Sequence, residues 1–262
     1  MIRTLTTAGA GMIAQQTNLD TIANNLANVN TVGFKSLRAE FQDMVYQTLR
    51  GSGAASGASS STPTALQVGL GSRFSATSVT AGVGPMQTTG NPLDVAIQGE
   101  GFFQVQRADG TLAYTRDGSL KRDATGLLVT SDGFHVIPEV TIPSGATAVS
   151  IAPTGVVTAV LPGQSEPQQL GQITIATFSN PAGLTRMGQN LFQAGGGSGD
   201  AKVGNPGDNG SGTLQSGFLE GSNVQVVEEM VRMITAQRAY EINSKAIQTA
   251  DEMLSTINNL KR

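Results

Sequence analysis

The residues that could do chemistry in this chain are few and scattered. His135 is the only histidine, inside the run FHVIPEV. Acid–base catalysis and metal ligation both need partners that a lone histidine in a strand-like run does not have, so it reads as structural. Asp109, Asp117, Asp123 and Asp132 lack the close alternating oxygen spacing of a calcium loop. Three of them directly precede glycine, as turn residues do. GEGFF at 99–103 has two glycines, but neither the six-residue fingerprint nor the following helix of a dinucleotide loop. No serine elbow and no Walker A sequence occurs. The chain therefore reads as a non-enzyme with no catalytic residue, no metal and no cofactor.

Composition narrows the class further. The 262 residues carry 16 basic and 19 acidic side chains, a net charge of −3. Without basic clusters there is no electrostatic footprint for nucleic acid or an anionic membrane. No run approaches the roughly 20 apolar residues of a membrane-spanning helix, so no membrane insertion is expected. Cysteine is absent, which excludes disulfides and thiolate metal sites in any compartment. Thr4, Thr6 and Thr7 interrupt the N-terminal apolar run where a signal peptide should be greasiest, so it does not read as a cleaved signal. The 33 glycines, with many Thr, Ser, Asn and Gln, point to β-structure with frequent turns.

One polar cluster stands out: ANNLANVNTVGFK (23–35), with Asn24, Asn25, Asn28 and Asn30 at the end of an apolar pattern. Asparagine is a poor helix-interior residue. Before it, Leu5, Met12, Leu19 and Leu26 are spaced by seven, with Ala8, Gln15, Ile22 and Val29 offset by three. That 3,4 alternation is how a helix presents one stripe to a partner helix. Positions 3–30 then predict a rod of roughly 40 Å. Near the other end, Val226, Met233, Tyr240, Ile247 and Leu254 repeat the seven-residue spacing, flanked by Met230, Ile234, Ala250 and Ile257. Ser222 or Asn223 is the expected cap, with Glu228 and Glu229 near the positive helix end.

Between the helices the period changes. From about 90 to 180 come short β-rich runs such as LDVAIQG, LAYTRDG and QITIATF. Asp-Gly at 109–110, 117–118 and 132–133 supports hairpin turns. The expected fold is α+β: a central antiparallel all-β domain, with terminal helices whose stripes pair as a coiled coil or else pack on that domain. The expected divisions are an N-terminal helix and turn (1–46), an extended low-complexity segment (47–92), the β-domain (93–194), a glycine-rich connector (195–220) and the C-terminal helix (221–262). Leu66, Val68, Leu70 and Phe74 alternate like a strand. They suit pairing with a neighbouring subunit's edge, with GSGAASGASSS (51–61) as its tether, or else a hairpin on their own subunit.

ANNLANVNTVGFK resembles the N-terminal motif of the bacterial flagellar axial proteins, the rod, hook and hook-associated proteins. EGSNVQVVEEMVRMITAQRAYEINSKAIQTADEML resembles their C-terminal motif, and GNPLDVAIQGEGFFQVQRADGTLAYTRDGSL the β-domain of the rod and hook members. Three separated motifs in the right order touch the whole chain. TPTALQVGLGSRFSATSV (62–79) and NPAGL (180–184) bring it nearest to the distal rod members of the basal-body rod family. The resemblance implies a structural, self-assembling subunit in which paired terminal helices line a tube and the β-domain sits outside. It implies a rigid hollow drive shaft crossing the periplasm, exported by the flagellar type III apparatus without a cleaved signal. The partners implied are copies of itself, proximal rod proteins, the hook protein and the surrounding P- and L-ring proteins. A proximal rod or hook-type member is the nearest alternative. A secreted β-domain adhesin with helical arms is the alternative of another class.

Self-assembly is then expected to use Leu5, Met12, Leu19, Ile22 and Leu26 on the first helix and Met230, Met233, Ile234, Tyr240, Ile247, Leu254 and Ile257 on the last. The four asparagines would bond backbone groups left open at the helix end, on their own chain or on a neighbour. The chain would turn at Gly33, with Phe34 as anchor and Lys35 facing outward.

Overall fold

Threonine hydroxyls run along the first helix, and their bonds show how a weak helix former is accommodated. In α1 (Ile2–Ala27) Thr6, Thr17 and Thr21 donate to the carbonyls of Arg3, Ile13 and Thr17, the usual resting place of a hydroxyl inside a helix. The helix ends three residues short of the expected position 30. The Asn28 and Val29 amides bond the Asn25 and Leu26 carbonyls at 3.1 and 3.3 Å, a tightening last turn that asparagine tolerates and a longer helix would not. The computed structural model describes residues 2–52, 55–57, 60–61, 64–163, 166–208 and 210–260. Residues 53, 54, 58, 59, 62 and 63 of the glycine-serine region lie outside these, and with them part of the expected tether. The architecture is α+β, and the chain divides into two units.

The first unit holds residues 1–24, 37–78 and 226–262. Its second helix, α2 (Val226–Leu260), has 35 residues with Glu228 and Glu229 in its first turn, where the helix dipole favours carboxylates. It spans roughly 50 Å. Ser222 and Asn223 do not cap it: the helix starts three residues later, and the Asn223 amide is committed to backbone partners elsewhere.

Between the helices lies a nested hairpin. Leu37–Asp43 pairs with Ser72–Val79, Tyr46–Arg50 with Leu66–Gly69, and Ala55–Gly57 with Ser60–Ser61. The three pairings lie inside one another in the sequence, as in a two-stranded ribbon. The Phe41 and Phe74 rings meet edge-on at 6.2 Å, and the Tyr46 ring lies over Gly69, 3.2 Å from where a Cβ would be. Near Gly71 the ribbon runs alongside Thr7 and Ala10 of α1. Apart from that it is exposed over most of its length.

The second unit, residues 25–36 and 79–225, is the β-domain. Its largest sheet has nine strands, antiparallel throughout, with Phe102–Gln106 bonded to Leu112–Thr115, His135–Ile137 and Ile175–Thr177. Successive residues of a strand point to opposite faces, and Phe102 and Phe103 use this. Phe103 enters the main aliphatic core with Val95, Ile97, Val105, Leu128, Val136, Ile173 and Leu214. Phe102 enters a second cluster with Tyr114, Phe178, Leu184 and Phe192. Of the three Asp-Gly pairs, those at 109–110 and 132–133 form hairpin turns. The pair at 117–118 does not. A Cβ on Gly118 would stand 1.7 Å from the Val95 carbonyl oxygen, so that glycine serves close backbone approach. Residues 195–220, expected as a connector, contain Lys202–Gly204, Thr213–Ser216 and Phe218–Glu220, which pair with Ile175–Thr177, Val95–Gln98 and Met86–Thr88.

Candidate assembly surfaces

In the first unit the two helices approach each other at Gly11. Gly11 of α1 faces Asn243 of α2, and a Cβ at Gly11 would lie 3.0 Å from the Asn243 Nδ2. On α2, Glu229, Ala236 and Ala250 are buried and Asn243 is half-buried. These four are spaced by seven. On α1, Ala8, Ala14 and Ile22 are buried. Small side chains let two helix axes come close, and large ones would hold them apart. The large residues expected to form the seam stand beside this line. Leu5, Met12, Leu19, Met233, Ile247 and Leu254 are half-buried, while Met230, Ile234, Tyr240 and Ile257 are exposed. Val227 and Val231 add to that exposed flank at 75% and 57% accessibility. The line Glu229–Ala236–Asn243–Ala250 was legible as a heptad series, but large apolar residues drew the sequence reading to a neighbouring stripe.

The asparagine turn enters the second unit. Asn25 is buried, Asn28 half-buried, and Asn30 exposed; Leu26 beside them is half-buried, and Asn24, at the end of the first unit, is exposed. Within the chain, the Thr31 hydroxyl donates to Asn28 Oδ1 at 3.1 Å, and the Thr31 amide to the Asn28 carbonyl at 3.2 Å. Gly33 turns the chain with φ +68°, and a Cβ there would stand 2.7 Å from the Arg116 carbonyl carbon. No other residue fits. Phe34 is buried beneath the Arg186 guanidinium, 4.8 Å from its ring centre, a cation–π contact. Phe34 thus anchors the turn.

Lys35 points the other way from expectation. It is buried, and its Nζ donates to Glu220 Oε1 at 2.5 Å and to the Gly82 carbonyl at 2.8 Å. The Gly84 amide also donates to Oε1, at 2.8 Å. Arg116 Nε approaches the other carboxylate oxygen at 3.0 Å as an ion pair. Its two terminal nitrogens donate to the Gly101 and Gly99 carbonyls, each at 2.8 Å. Here GEGFF has its explanation: its glycine carbonyls seat an arginine, not a phosphate. Burial, and then the positive field of Arg116, pull the Lys35 pKa below its ordinary 10.5, against the pull of Glu220. Burial likewise lowers Arg116, and the Glu220 charge opposes it. A buried charge of this kind persists only when paired and hydrogen-bonded. Sequence reasoning missed this group because its members lie up to 185 residues apart.

The ribbon carries the other expected site. Leu66, Val68 and Phe74 are exposed and Leu70 is half-buried between two strands. The inward edge of Leu66–Gly69 bonds Tyr46–Arg50 of the same chain, in the register Tyr46↔Gly69, Gln47↔Val68, Thr48↔Gln67 and Arg50↔Leu66. Within this chain the strand pairs as the hairpin alternative expects, since a strand beside its own sequence neighbour closes the smaller loop. Met44, Val45, Tyr46 and Leu49 are exposed along the partner limb.

Among the described residues no group of acidic, histidine or cysteine side chains is placed to hold a metal ion, and no helix is long and apolar enough to cross a membrane. His135 is half-buried in the strand His135–Ile137.

Three segments match known families. Residues 5–35 match the flagella basal body rod protein family, 96–159 the flagellar hook protein FlgE/F/G D1 domain, and 215–260 the flagellar basal body rod FlgEFG protein C-terminal region. The chain is 51% identical to the flagellar basal-body rod protein FlgG of Borreliella burgdorferi, with 100% of each chain covered. It is 46% identical to the protein of that name from Bacillus subtilis, again with 100% of each covered. The flagellar hook-basal body complex protein FlhP of Bacillus subtilis is 31% identical to it over 100% of each.

Proposed function

Because the chain belongs to the flagellar basal-body rod protein family, we propose that it is the structural subunit of the distal rod. Copies stack helically into a hollow, rigid shaft that passes torque to the hook and leaves an export channel along its axis. The observation that carries this reading is the exposed flank of α2. Met230, Val231, Ile234, Met253 and Ile257 stand 49–57% exposed, on a helix whose buried line is already filled by Glu229, Ala236 and Ala250. An apolar flank on a long helix calls for further helices, and a helical tube supplies the same neighbours to every copy. In this reading α1 and α2 pair as a coiled coil that lines the channel, and the β-domain lies outside. The five sequence divisions then act as inner helix, inter-subunit arm, outer domain, its closing strands, and second inner helix.

The remaining partners follow from position. A distal segment meets proximal rod proteins below, the hook protein above and the P- and L-rings around it, within the periplasm. Export through the flagellar type III apparatus requires an unfolded chain. The helical termini suit this. Gly9, Gly11, the threonines and the asparagines are weak helix formers, so α1 is marginal until neighbours cover it.

Electron microscopy of basal bodies from a strain lacking the gene tests the assignment. The expected result is a rod that stops short, without hook. A rod of normal length carrying a hook would overturn it.

A further inference from the structure

The buried ions and their surroundings occupy one place in the covalent path of the chain. The chain leaves the β-domain unit after Ser36, re-enters at Val79 and leaves again after Gln225. The residues next to these three points bond one another. Ser36 donates its amide to Asn223 Oδ1 at 2.7 Å and accepts from the Thr80 amide at 2.9 Å. The Asn223 side-chain amide donates to the Thr80 and Gly82 carbonyls at 2.9 and 3.1 Å. Gly33 donates to the Glu220 carbonyl, and Gly221 to the Pro85 carbonyl, each at 2.8 Å. Inside this knot sits the Lys35–Glu220–Arg116 group, with Arg116 fixed from the sheet side by Gly99 and Gly101.

We propose that Lys35, Glu220 and Arg116 form a clamp, already closed in the free subunit, that holds the root of the turn after α1 against the root of α2. They are positioning residues for assembly. Every atom of the clamp belongs to the β-domain unit, so it needs neither helix to be folded. Two helices rooted at one point meet as an intramolecular pair, whereas loose ends separated by most of the chain would not. Charge also selects the partner. An apolar contact tolerates register slips, but a buried carboxylate facing an ammonium on one oxygen and a guanidinium on the other pairs both charges in one arrangement only. The inference rests on the self-assembly reading for its purpose, but not for the existence of the clamp.

Hydrogen exchange on the full-length monomer, together with polymerisation of wild type and Glu220→Gln, tests both parts. In the wild-type monomer the amides of Gly33, Ser36, Gly84, Gly221 and Asn223 should exchange at least about a hundredfold more slowly than those of Thr4–Thr17 and Met233–Ser255. If they exchange as fast as the helices, the clamp closes only on assembly and the proposal falls. In Glu220→Gln those five amides should speed up while Val105 and Tyr114 in the central strands stay slow. The critical concentration for polymerisation should rise about tenfold or more. Equal acceleration across the central strands, or an unchanged critical concentration, assigns Glu220 to general stability and overturns the positioning role. Failure of the wild type to form tubes at all counts against the self-assembly reading instead, while the exchange pattern still decides the clamp.

Discussion

Glu220 carries a larger share of the β-domain's integrity than its single charge suggests. Its carboxylate forms ion pairs with two buried cations, Lys35 and Arg116. Removing it in Glu220→Ala leaves the buried Lys35 and Arg116 charges without their paired anion, a loss of about 3–5 kcal/mol. Adding Lys35→Met to that variant should cost less than Lys35→Met does alone, because the methionine relieves one stranded charge. Urea unfolding of the full-length monomer, followed by circular dichroism, measures both; strictly additive losses would remove the ion group as the cause. Gly33 is the second sensitive position. Gly33→Ala combines a left-handed backbone, costing about 1–2 kcal/mol, with overlap against the Arg116 main chain, about 1–3 kcal/mol more. The same titration should show its midpoint fall with an unchanged slope.

At the scale of elements, the helix pair separates two jobs that a single apolar stripe would merge. On the proposed coiled-coil reading, small residues at Gly11, Ala236 and Ala250 would set how closely α1 and α2 approach, and the large residues beside them would meet neighbours. Ala250→Phe should therefore wedge the pair and abolish tubes, while the β-domain melts at its wild-type temperature. Ile234→Ser on the exposed flank should leave the pair intact and weaken only polymerisation, by severalfold in critical concentration. Sedimentation of polymer against free subunit reads both. Leu19→Asp and Ile247→Asp probe the half-buried border, where a charge has no partner and assembly should fail. Normal polymerisation of the aspartate variants would remove these stripes from the tube wall.

For the whole molecule, the proposed assembly gives the ribbon the task of deciding what kind of tube is built. A two-stranded hairpin with exposed Val45, Tyr46, Leu49 and Leu66 is marginal by itself in water, so its order in a filament depends on what it lies against. A rod must resist bending, which requires neighbours not to slide past one another. In the proposed tube, an arm that reaches over adjacent subunits would supply that resistance outside the helical core. Deleting residues 46–69 removes both paired limbs together and leaves no orphan strand edge. Tubes of this variant should still form but curve or flex, as measured by filament curvature in electron micrographs. Straight, stiff filaments would assign rigidity to the core instead.

What the sequence determined by itself was everything governed by short-range pattern. The 3,4 spacing along Leu5–Leu26 and Val226–Leu254 specified two long helices, and the strand and turn alternation around GFFQVQRADG specified an antiparallel domain. Local geometry enforces both periods. The order of the three motifs carried the family as well. Tertiary structure alone decided which stripe is buried, because the choice of Ala236 and Ala250 over Met233 and Leu254 is made by long-range neighbours and not by the heptad spacing the two stripes share. It also decided the direction of Lys35. Nothing within ten residues of a lysine after GF announces a carboxylate at position 220, nor an arginine at 116 held by two glycine carbonyls. Burying a charge is a long-range agreement among chain segments. It becomes visible only when the fold has brought them together.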